Sequence, residues 1–383
     1  MTSTVSVAGL TKGIGEFSDM MTSGMKRSVR KHFREYMLGI MIPPENRRKS
    51  ISNISSLVSE HDQSTINRAF HGIDSSLLEQ NYIRFLKTAI VNRRVVFIGD
   101  DTMLEHPGSR IMEYVGWFFD HASGNNVLAH QPVTSGIYDL DTDTFYPFLT
   151  RLYVKRAQSE KEFKTKLEIM EDIFSIAENN FNVSGKVVDS WYTSIKFLGN
   201  NYVTELKANR KASFYNLGRM TIKNRDLFYT MDEIIESTFI MHERDSGTLK
   251  EFPLQREFTV YLSNGEPINL MVLYNPENKR KKFIASDYLS GEEMINAWSI
   301  RWSIENFHKD AKAIGLGEYQ VRDSEGSLIH ARITIAAYTL LSIMTRTSMK
   351  LFGRILMTIG ECSRAIKEIL ILKKNYKSRL FSG

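Results

Sequence analysis

Three acidic residues occupy positions from which they could cooperate in catalysis. Asp100 follows a run of β-branched and aromatic residues that begins at Arg93, and Asp189 follows a second such run that begins at Gly185. Runs of this kind predict buried strands, so each aspartate is expected at the carboxyl end of a strand. Glu305 lies in a later segment whose apolar residues recur with helical spacing. Only the tertiary fold could bring these three carboxylates together.

The chemistry of such a set is that of a hard metal site. Carboxylates that converge within several ångströms suit Mg²⁺ or Mn²⁺, which keep water or phosphate oxygens as their other ligands. Two such ions roughly 3.5–4 Å apart can activate a water or sugar hydroxyl and stabilise the leaving oxygen of a phosphodiester. The set therefore indicates metal-dependent phosphodiester chemistry, although an aspartate at a strand end, taken alone, is more often part of a turn or a helix cap.

Cations accompany the third acid on the predicted helix. With about 100° per residue, Trp298, Arg301, Glu305 and Lys312 fall within about 60° of arc. A neighbouring apolar stripe consists of Ala297, Ile300, Ile304, Phe307 and Ala311. The apolar stripe would face the core, and the polar stripe would present one carboxylate between two cations. Glu305 could then hold a metal while the cations hold phosphates, although Arg301 and Glu305 are also spaced as an ordinary surface ion pair.

The N-terminal part of the chain is predicted to be helical. Residues 1–25 are rich in Gly, Ser and Thr, and we expect them to be poorly ordered. Helices are predicted over 25–37, 50–60, 64–70 and 75–91. The second and third resemble a helix-turn-helix, which would offer Thr65, Asn67, Arg68 and His71 to DNA. Any helical hairpin has the same pattern, so a purely structural role stays open.

The remainder of the chain mixes strands and helices. Strands are predicted over 93–102, 127–131, 135–140, 144–154, 185–192 and 202–206, with a helix over 160–179. The segment 214–288 is mostly β, with strands at 237–241, 257–262, 268–274 and 282–285. Asn264-Gly265 is a hairpin turn signal. Helices follow over 291–313, 325–352 and 355–373, so the fold class is α/β.

Composition is that of a soluble, intracellular protein and is compatible with polyanion binding. The chain has 383 residues, with 50 Lys and Arg against 44 Asp and Glu. Residues 1–50 hold nine basic residues against four acidic ones, and 363–383 hold six against one. Basic ends suit nucleic-acid binding, although an ordinary solvated surface has the same pattern. The single cysteine, Cys362, excludes a disulfide framework or cysteine-based zinc site, and the apolar run 333–344 is short for a membrane span.

These motifs together resemble the DDE class of insertion-sequence transposases. One group of that class has a Tyr-x2-Arg-x3-Glu-x6-Lys signature, which here reads Trp298-x2-Arg301-x3-Glu305-x6-Lys312. Asp100-Asp-Thr102 resembles the Asp-x-Thr motif of the family, and Asp189-Ser-Trp-Tyr192 resembles its Asp-x-x-Tyr motif. The segment 315–322 and the helix after it are also similar to the family. The resemblance covers roughly 80–345.

The resemblance implies a fold and a division into domains. It implies an RNase H-like catalytic core with a β-rich insertion, a helical DNA-binding region before it and helices after it. The expected boundaries are an N-terminal region over 1–90, a first part of the core over 91–213 and the insertion over 214–289. The catalytic helix and the rest of the core follow over 290–350, and a basic C-terminal helix and tail over 351–383.

The resemblance also implies an activity and its residues. The protein would nick double-stranded DNA at transposon ends and transfer the 3′-hydroxyl into target DNA, with two Mg²⁺ or Mn²⁺ ions held by Asp100, Asp189 and Glu305. Trp298, Arg301 and Lys312 would contact DNA, although Trp298 lacks the hydroxyl of the family's tyrosine. A homodimer acting on paired ends in the cytoplasm of a prokaryotic cell is expected, without any membrane association.

Two alternative functions and one residue assignment stay open on the sequence. The same core could belong to a nuclease that does not transfer strands, or to a DNA-binding regulator that has lost catalysis. The family motif favours Asp100 as the metal ligand, and Asp101 next to it would then have a supporting role.

Overall fold

The computed structural model describes residues 7–42, 49–58, 62–109, 111–120, 123–159, 163–239 and 251–380. Within them, helices surround one large mixed sheet. The strands are β1 Arg94–Asp101, β2 Leu104–Glu105, β3 Gly116–Asp120, β4 Asn125–Asp139, β5 Thr144–Tyr153, β6 Asn182–Val188, β7 Tyr202–Glu205, β8 Lys211–Ser213, β9 Tyr229–Thr230, β10 Leu254–Leu262, β11 Pro267–Asn275 and β12 Arg280–Ser286.

The centre of the sheet has the strand order β5-β4-β1-β6-β7. Strand β1 pairs antiparallel with β4 and parallel with β6, and β6 pairs parallel with β7. The register of the β1–β6 pair places Gly99 opposite Val188. Both strands are buried along their apolar runs, as expected for parallel strands covered on two faces. The residues that follow Gly99 and Val188 therefore lie side by side where the pairing of β1 with β6 ends.

The β-rich segment predicted over 214–288 does not form a separate sheet. Its last strand, β12, pairs antiparallel with β7, with Ser286 opposite Val203. The order then continues through β11, β10, β8 and β9. The predicted Asn264-Gly265 turn is confirmed: it connects β10 to β11, and Gly265 has a φ of +90°, a conformation that glycine adopts without a steric penalty.

The helices are α1 Val7–Met21, α2 Arg27–Met41, α3 Ile51–Val58, α4 Gln63–Phe70, α5 Ser75–Ala89, α6 Lys166–Asn180, α7 Ile195–Leu198, α8 Met231–Phe239, α9 Gly291–Ser299, α10 Trp302–Ala313, α11 Ser324–Arg346, α12 Ser348–Phe352 and α13 Ile359–Leu380. Helix α11 is largely buried, and it packs against α2, α5, α13 and β5. It is long and apolar enough to cross a membrane, but most of its apolar stretch is buried inside the protein, as is usual for a core helix.

Several predicted elements differ from the observed ones. Residues 7–21, expected to be poorly ordered, form α1, whose apolar side chains Leu10, Ile14, Phe17 and Met21 are buried in the core. The strand predicted over 237–241 is wrong for its described part, because 237–239 belong to α8. Residues 127–131 and 135–140 fall mostly in the single strand β4, which has an irregularity between Thr134 and Gly136.

A buried lysine joins the N-terminal helices to the rest of the protein. Lys49 is only 2% exposed, and its ammonium donates to the carbonyls of Gly39, Ile40 and Ile42 at the end of α2. These are carbonyls that a helix terminus leaves without an intrahelical partner. The backbone nitrogen of Lys49 donates to Glu318, in the loop after α10. The segment that follows the N-terminal helix α2 is thus attached to the loop after α10, the helix that carries Glu305.

Candidate carboxylate site

Asp100 and Asp189 lie next to each other at one end of the sheet. They directly follow the Gly99–Val188 pair of the parallel strands β1 and β6. Burial raises the pKa of Asp100 to about 7, and the neighbouring charges of Asp101 and Asp189 add to this effect. The two strands therefore concentrate negative charge at a point where little water can screen it. Such a site attracts a cation.

The two consecutive aspartates of β1 have different surroundings. Asp101 accepts hydrogen bonds from Gln131 Nε2 at 2.7 Å, Lys166 Nζ at 3.0 Å and the Tyr192 hydroxyl at 3.0 Å. Its carboxylate is thus already paired and hydrogen-bonded. Asp100 accepts from the backbone nitrogen of Asp101 at 2.8 Å, and its other oxygen faces Arg301. The geometry favours Asp100 as the residue that is available to a ligand.

Glu305 is connected to Asp100 through a shared arginine. Nη2 of Arg301 lies 2.6 Å from Oε1 of Glu305, and Nη1 lies 4.0 Å from Oδ2 of Asp100. The guanidinium is buried, with 10% of its side chain exposed, so both ion pairs are poorly screened. The third predicted carboxylate is therefore at the site, but a cation of the protein lies between it and Asp100.

The helix predicted over 291–313 is two helices with a tight turn between them. The backbone nitrogens of Ile300 and Arg301 bond to carbonyls three residues earlier, and those of Ser303 and Ile304 do the same. Such i to i−3 bonds are typical of a 3₁₀ turn. Ile300 and Arg301 keep right-handed helical backbone angles, so the chain direction is roughly maintained. The turn places Arg301 at the start of α10, one helical turn before Glu305.

Trp298 is buried and does not lie on the exposed surface of the protein. It is only 6% exposed, with the ammonium of Lys282 4.3 Å and the guanidinium carbon of Arg301 5.3 Å from its ring centre. Its indole Nε1 is buried without a hydrogen-bond partner among the described residues. In this arrangement Trp298 supports the two cations. Lys312, the last member of the predicted stripe, is exposed in the last turn of α10.

A buried histidine outside the predicted set of site residues connects α10 to β1 through Thr134 of β4. Nε2 of His308 lies 2.7 Å from Thr134 Oγ1, and that hydroxyl lies 3.2 Å from the carbonyl oxygen of Asp100. Burial lowers the pKa of His308 to about 3, so the ring is neutral at physiological pH. On the helical projection His308 falls about 20° outside the polar stripe. This position is the only feature of the sequence that could have indicated a place near the site. These contacts fix the position of α10 along β1 relative to Asp100.

The donor types fit a hard divalent cation, but the arrangement is incomplete. In the part of the chain that the structure describes, no three His, Cys, Asp or Glu side chains are close enough to hold an ion as they stand. Asp100 and Asp189 form a close pair whose mutual repulsion a divalent cation would offset. Glu305 could join them once Arg301 moves away from its carboxylate.

A cleft lined by polar and basic side chains lies among the N-terminal helices. A cleft of about 610 Å³ separates the start of α2 from α4, and Lys26, Ser28, Thr65 and Arg68 are among the residues that line it. Helix α4 begins after Asp62, whose side chain accepts from the backbone nitrogen of Thr65 and so caps the helix. Asn67 and Arg68 are exposed on α4, and His71 is exposed directly after it, as the predicted helix-turn-helix requires.

Comparisons with known proteins concern almost the whole chain. The model of the family described as "Archaeal putative transposase ISC1217" matches residues 19–352. No curated protein matches the chain. A solved structure with an overall likeness is the piggyBac transposase synaptic complex with hairpin DNA, at 11% sequence identity and a TM-score of 0.48. That match covers 94% of this chain and 77% of the other.

Proposed function

Because the chain belongs to the family of archaeal ISC1217-type transposases, we propose that it nicks DNA at transposon ends and transfers the freed 3′-hydroxyl into target DNA. The observation that carries this proposal is the geometry around Arg301. One guanidinium contacts Glu305 and faces Asp100, and Asp100 and Asp189 follow the paired residues Gly99 and Val188 on adjacent parallel strands. The acids of three distant segments are thereby collected at one end of the sheet.

In the proposed reaction, Asp100, Asp189 and Glu305 hold two Mg²⁺ or Mn²⁺ ions. Such ions would activate first a water and then the 3′-hydroxyl, and would stabilise the leaving oxygen of each phosphodiester. Asp101 keeps β1 in place through its contacts with Lys166 and Tyr192. His308 holds α10 beside Asp100 through its contact with Thr134. These contacts position the acids before DNA arrives.

The proposed roles of the cations follow from charge. Arg301 neutralises Glu305 and Asp100 in the absence of DNA and would turn to a phosphate of the transposon end when metal ions replace it. Lys312 is exposed about two helical turns beyond Glu305 and would contact the same DNA backbone. Trp298 is proposed to act through these cations, because its buried ring underlies Lys282 and Arg301.

We propose that the centre of the sheet is an RNase H-like catalytic core. Its support is the order β5-β4-β1-β6-β7, in which β1, β4 and β5 are antiparallel neighbours and β6 and β7 run parallel to β1. In the proposed division, 1–90 binds DNA, 91–213 and 290–350 form the core, 214–289 is the insertion and 351–383 is a C-terminal extension. The inserted strands extend the core sheet at β7.

The N-terminal helices are the proposed reader of the transposon end. The cleft between α2 and α4 and the exposed Asn67, Arg68 and His71 support this role, since a helix with polar and basic residues can enter the major groove. Lys26, Arg27, Arg30, Lys31 and Arg34 are exposed on or just before α2 and would hold flanking phosphates. We further propose a homodimer that pairs two ends in the cytoplasm of a prokaryotic cell.

A strand-transfer assay tests the proposal. The purified protein is incubated with the duplex ends that flank its gene, a supercoiled target plasmid and Mg²⁺ or Mn²⁺, and both nicked ends and joined products are measured. We expect nicking and joining by the wild type. Asp189→Ala should abolish both while end binding persists, and Asp226→Ala, which changes an exposed surface acid, serves as the control. Nicking without joining would indicate a nuclease, and binding without nicking would indicate a regulator.

A further inference from the structure

A tyrosine and a histidine connect the proposed reading helix α4 to the end of α10. The ring centre of Tyr36, on α2, lies 5.0 Å from that of Phe70, the last residue of α4. The Tyr36 hydroxyl lies 2.7 Å from Nδ1 of His330 on α11. Nε2 of the same ring lies 2.7 Å from the carbonyl oxygen of Gly315, just after α10. These contacts run from the helix proposed to read DNA to the helix that carries Glu305.

The two hydrogen bonds of His330 have a fixed direction. A carbonyl oxygen only accepts, so Nε2 donates to Gly315, and Nδ1 is left to accept from the Tyr36 hydroxyl. Burial lowers the pKa of His330 to about 4, so the ring is neutral at physiological pH and can make both bonds at once. Tyr36 is 3% and His330 0% exposed, so water does not compete for either bond. The ring therefore joins α2 to the end of α10 in one geometry.

The end of α10 is closely fitted to the N-terminal part of the chain. The backbone nitrogens of Gly315 and Leu316 donate to carbonyls three and five residues earlier, as in a Schellman motif. Gly315 has a φ of +112°, and a Cβ atom at this position would lie 2.7 Å from Cγ of Lys49. The backbone nitrogen of Lys49 donates to Glu318 in the same loop. Helix α10 therefore cannot shift along its axis without displacing the segment after α2.

The proposed reading face of α4 lies beside this loop. Asn67 and His71 line a cleft of about 370 Å³ together with Gln320 and Arg322, which belong to the loop after α10. All four side chains are exposed. A duplex held on α4 would therefore pass close to the end of α10. The distance from there to Glu305 is set by the helix itself, at about 1.5 Å per residue.

We propose that Tyr36 and His330 are positioning residues that hold α4 and α10 at one separation, and that this separation decides which phosphate of the transposon end is nicked. The proposal rests on the proposed function. Successive phosphates of one strand are about 3.4 Å apart along the duplex axis. A hydrogen-bonded connection is precise enough to select one of them, whereas a loosened connection brings neighbouring phosphates to the carboxylates. Placement also affects rate, since an error of about 1 Å can cost about 100-fold.

Mapping of nick positions at single-nucleotide resolution tests the proposal. A labelled duplex of the transposon end is incubated with the protein and Mg²⁺ or Mn²⁺, and anisotropy without divalent cations measures binding of the same duplex. The wild type should nick one phosphate. Tyr36→Phe keeps the ring beside Phe70 but removes the hydroxyl, so it should bind as tightly, nick up to about 100-fold more slowly and also nick neighbouring phosphates.

Variants of the histidine separate positioning from packing. His330→Leu fills much of the same volume without either hydrogen bond, so it should spread the nicks as Tyr36→Phe does. His330→Gln has an amide that can accept from Tyr36 and donate to Gly315, so it should restore the single position. A general loss of stability would lower the amount of nicking without moving the nicks. A single nick position in both Tyr36→Phe and His330→Leu would overturn the proposal.

Tyr82→Phe is the matched control. Tyr82 is 5% exposed, and its hydroxyl donates to the carbonyl of Pro147 at 2.6 Å and lies 2.8 Å from Thr339 Oγ1. The variant loses an equally buried hydroxyl but keeps the connection between α4 and α10, so its nicks should stay at one phosphate. Nicks that spread equally in Tyr82→Phe and Tyr36→Phe would also overturn the proposal.

A distance measurement covers a variant that does not nick at all. Spin labels at the exposed positions Ser64→Cys of α4 and Lys309→Cys of α10, in a Cys362→Ser background, report the separation of the two helices by pulsed electron paramagnetic resonance. No DNA or metal is needed. The otherwise unchanged protein should give one narrow distribution of distances, and adding Tyr36→Phe should broaden it. Equal widths would overturn the proposal.

The result can be distinguished from a failure of the proposed function. A distribution that Tyr36→Phe broadens, in a protein that never nicks DNA, would support the positioning role and contradict the transposase chemistry. Nicking at one phosphate and joining by Tyr36→Phe would support the transposase chemistry and contradict the positioning role.

Discussion

Arg301 donates to Glu305 across 2.6 Å from the start of the same helix, and the other end of its guanidinium is 4.0 Å from Asp100. The protein therefore carries its own counter-ion at the point where metal ions are proposed to bind. A divalent ion and this guanidinium would compete for the same carboxylates. If DNA phosphate offers Arg301 a second partner, binding of the transposon end and loading of the metal are coupled.

Replacement of Arg301 should expose this competition. Arg301→Gln leaves two poorly solvated carboxylates without their cation, so we expect the free energy of unfolding at neutral pH to fall by about 1–3 kcal/mol without divalent ions. Mg²⁺ should raise the melting temperature of the variant more than that of the wild type. Thermal unfolding with and without Mg²⁺ measures both effects. Arg354→Gln, at an exposed pair with Glu368, should change little. Equal Mg²⁺ shifts in Arg301→Gln and the wild type would contradict the competition.

Replacement of Asp100 should change how stability depends on pH. Its pKa in the folded protein is about 7, above the ordinary 3.8, because burial disfavours the charged form. The folded state therefore holds the proton more tightly, and its stability falls as pH rises from about 4 to about 7. Asp100→Asn removes this loss, so the variant should be more stable than the wild type at pH 8, by at most ~4 kcal/mol. The advantage should vanish near pH 4.

Denaturant unfolding at several pH values, without metal, measures the Asp100 effect. Asp172→Asn is the control, because Asp172 is an exposed residue paired with Lys164. A variant whose advantage is the same at pH 4 and pH 8 would show that the carboxyl of Asp100 does not titrate in this range.

The neighbouring aspartate should behave in the opposite way. Asp101→Asn weakens hydrogen bonds from Gln131, Lys166 and Tyr192 to a poorly exposed carboxylate, so we expect a loss of about 1–3 kcal/mol at neutral pH. Binding of Mn²⁺, followed by electron paramagnetic resonance, should survive in Asp101→Asn and be lost in Asp100→Asn. A stable Asp101→Asn protein that no longer binds Mn²⁺ would reverse the two roles.

Removal of the buried lysine should detach the end of α2. Lys49→Met keeps much of the side-chain volume but leaves three buried carbonyls at the end of α2 without their donor, so we expect a loss of about 2–4 kcal/mol. Denaturant unfolding measures it, with Lys350→Met at an exposed position of α12 as the control. A Lys49→Met protein as stable as this control would show that other donors replace the ammonium.

The strand-end aspartates could be predicted because a buried parallel strand has an unbroken apolar run, and the acid that ends it is visible in the sequence. Their proximity follows from the parallel pairing of β1 and β6, which the sequence does not specify. The grouping of Arg301 with Glu305 was predictable from helical spacing. That Arg301 also faces Asp100 depends on how α10 packs against β1, and no local pattern determines that packing.

The predictions that differ from the structure, and the site residues that were not predicted, also have physical reasons. Composition suggested disorder before residue 25, yet Leu10, Ile14 and Phe17 recur at helical spacing and are buried, so periodicity was the better signal. The turn at Ile300 and Arg301 keeps helical backbone angles and so has no signature in residue types. Asp101, His308 and Thr134 act through contacts between distant segments, which only the tertiary structure brings together.

The pairing of β12 with β7 bears on how this protein can be shortened and kept soluble. Val203, Thr204 and Glu205 of β7 are paired on this side by Ser286, Ala285 and Ile284, which lie some eighty residues away in the chain. A core without the inserted segment would end at an open strand of unpaired amides and carbonyls. Open edges of this kind recruit strands from other molecules. We therefore expect a core lacking 214–289 to aggregate, so that in this chain the insertion protects against self-association as well as forming a part of the sheet.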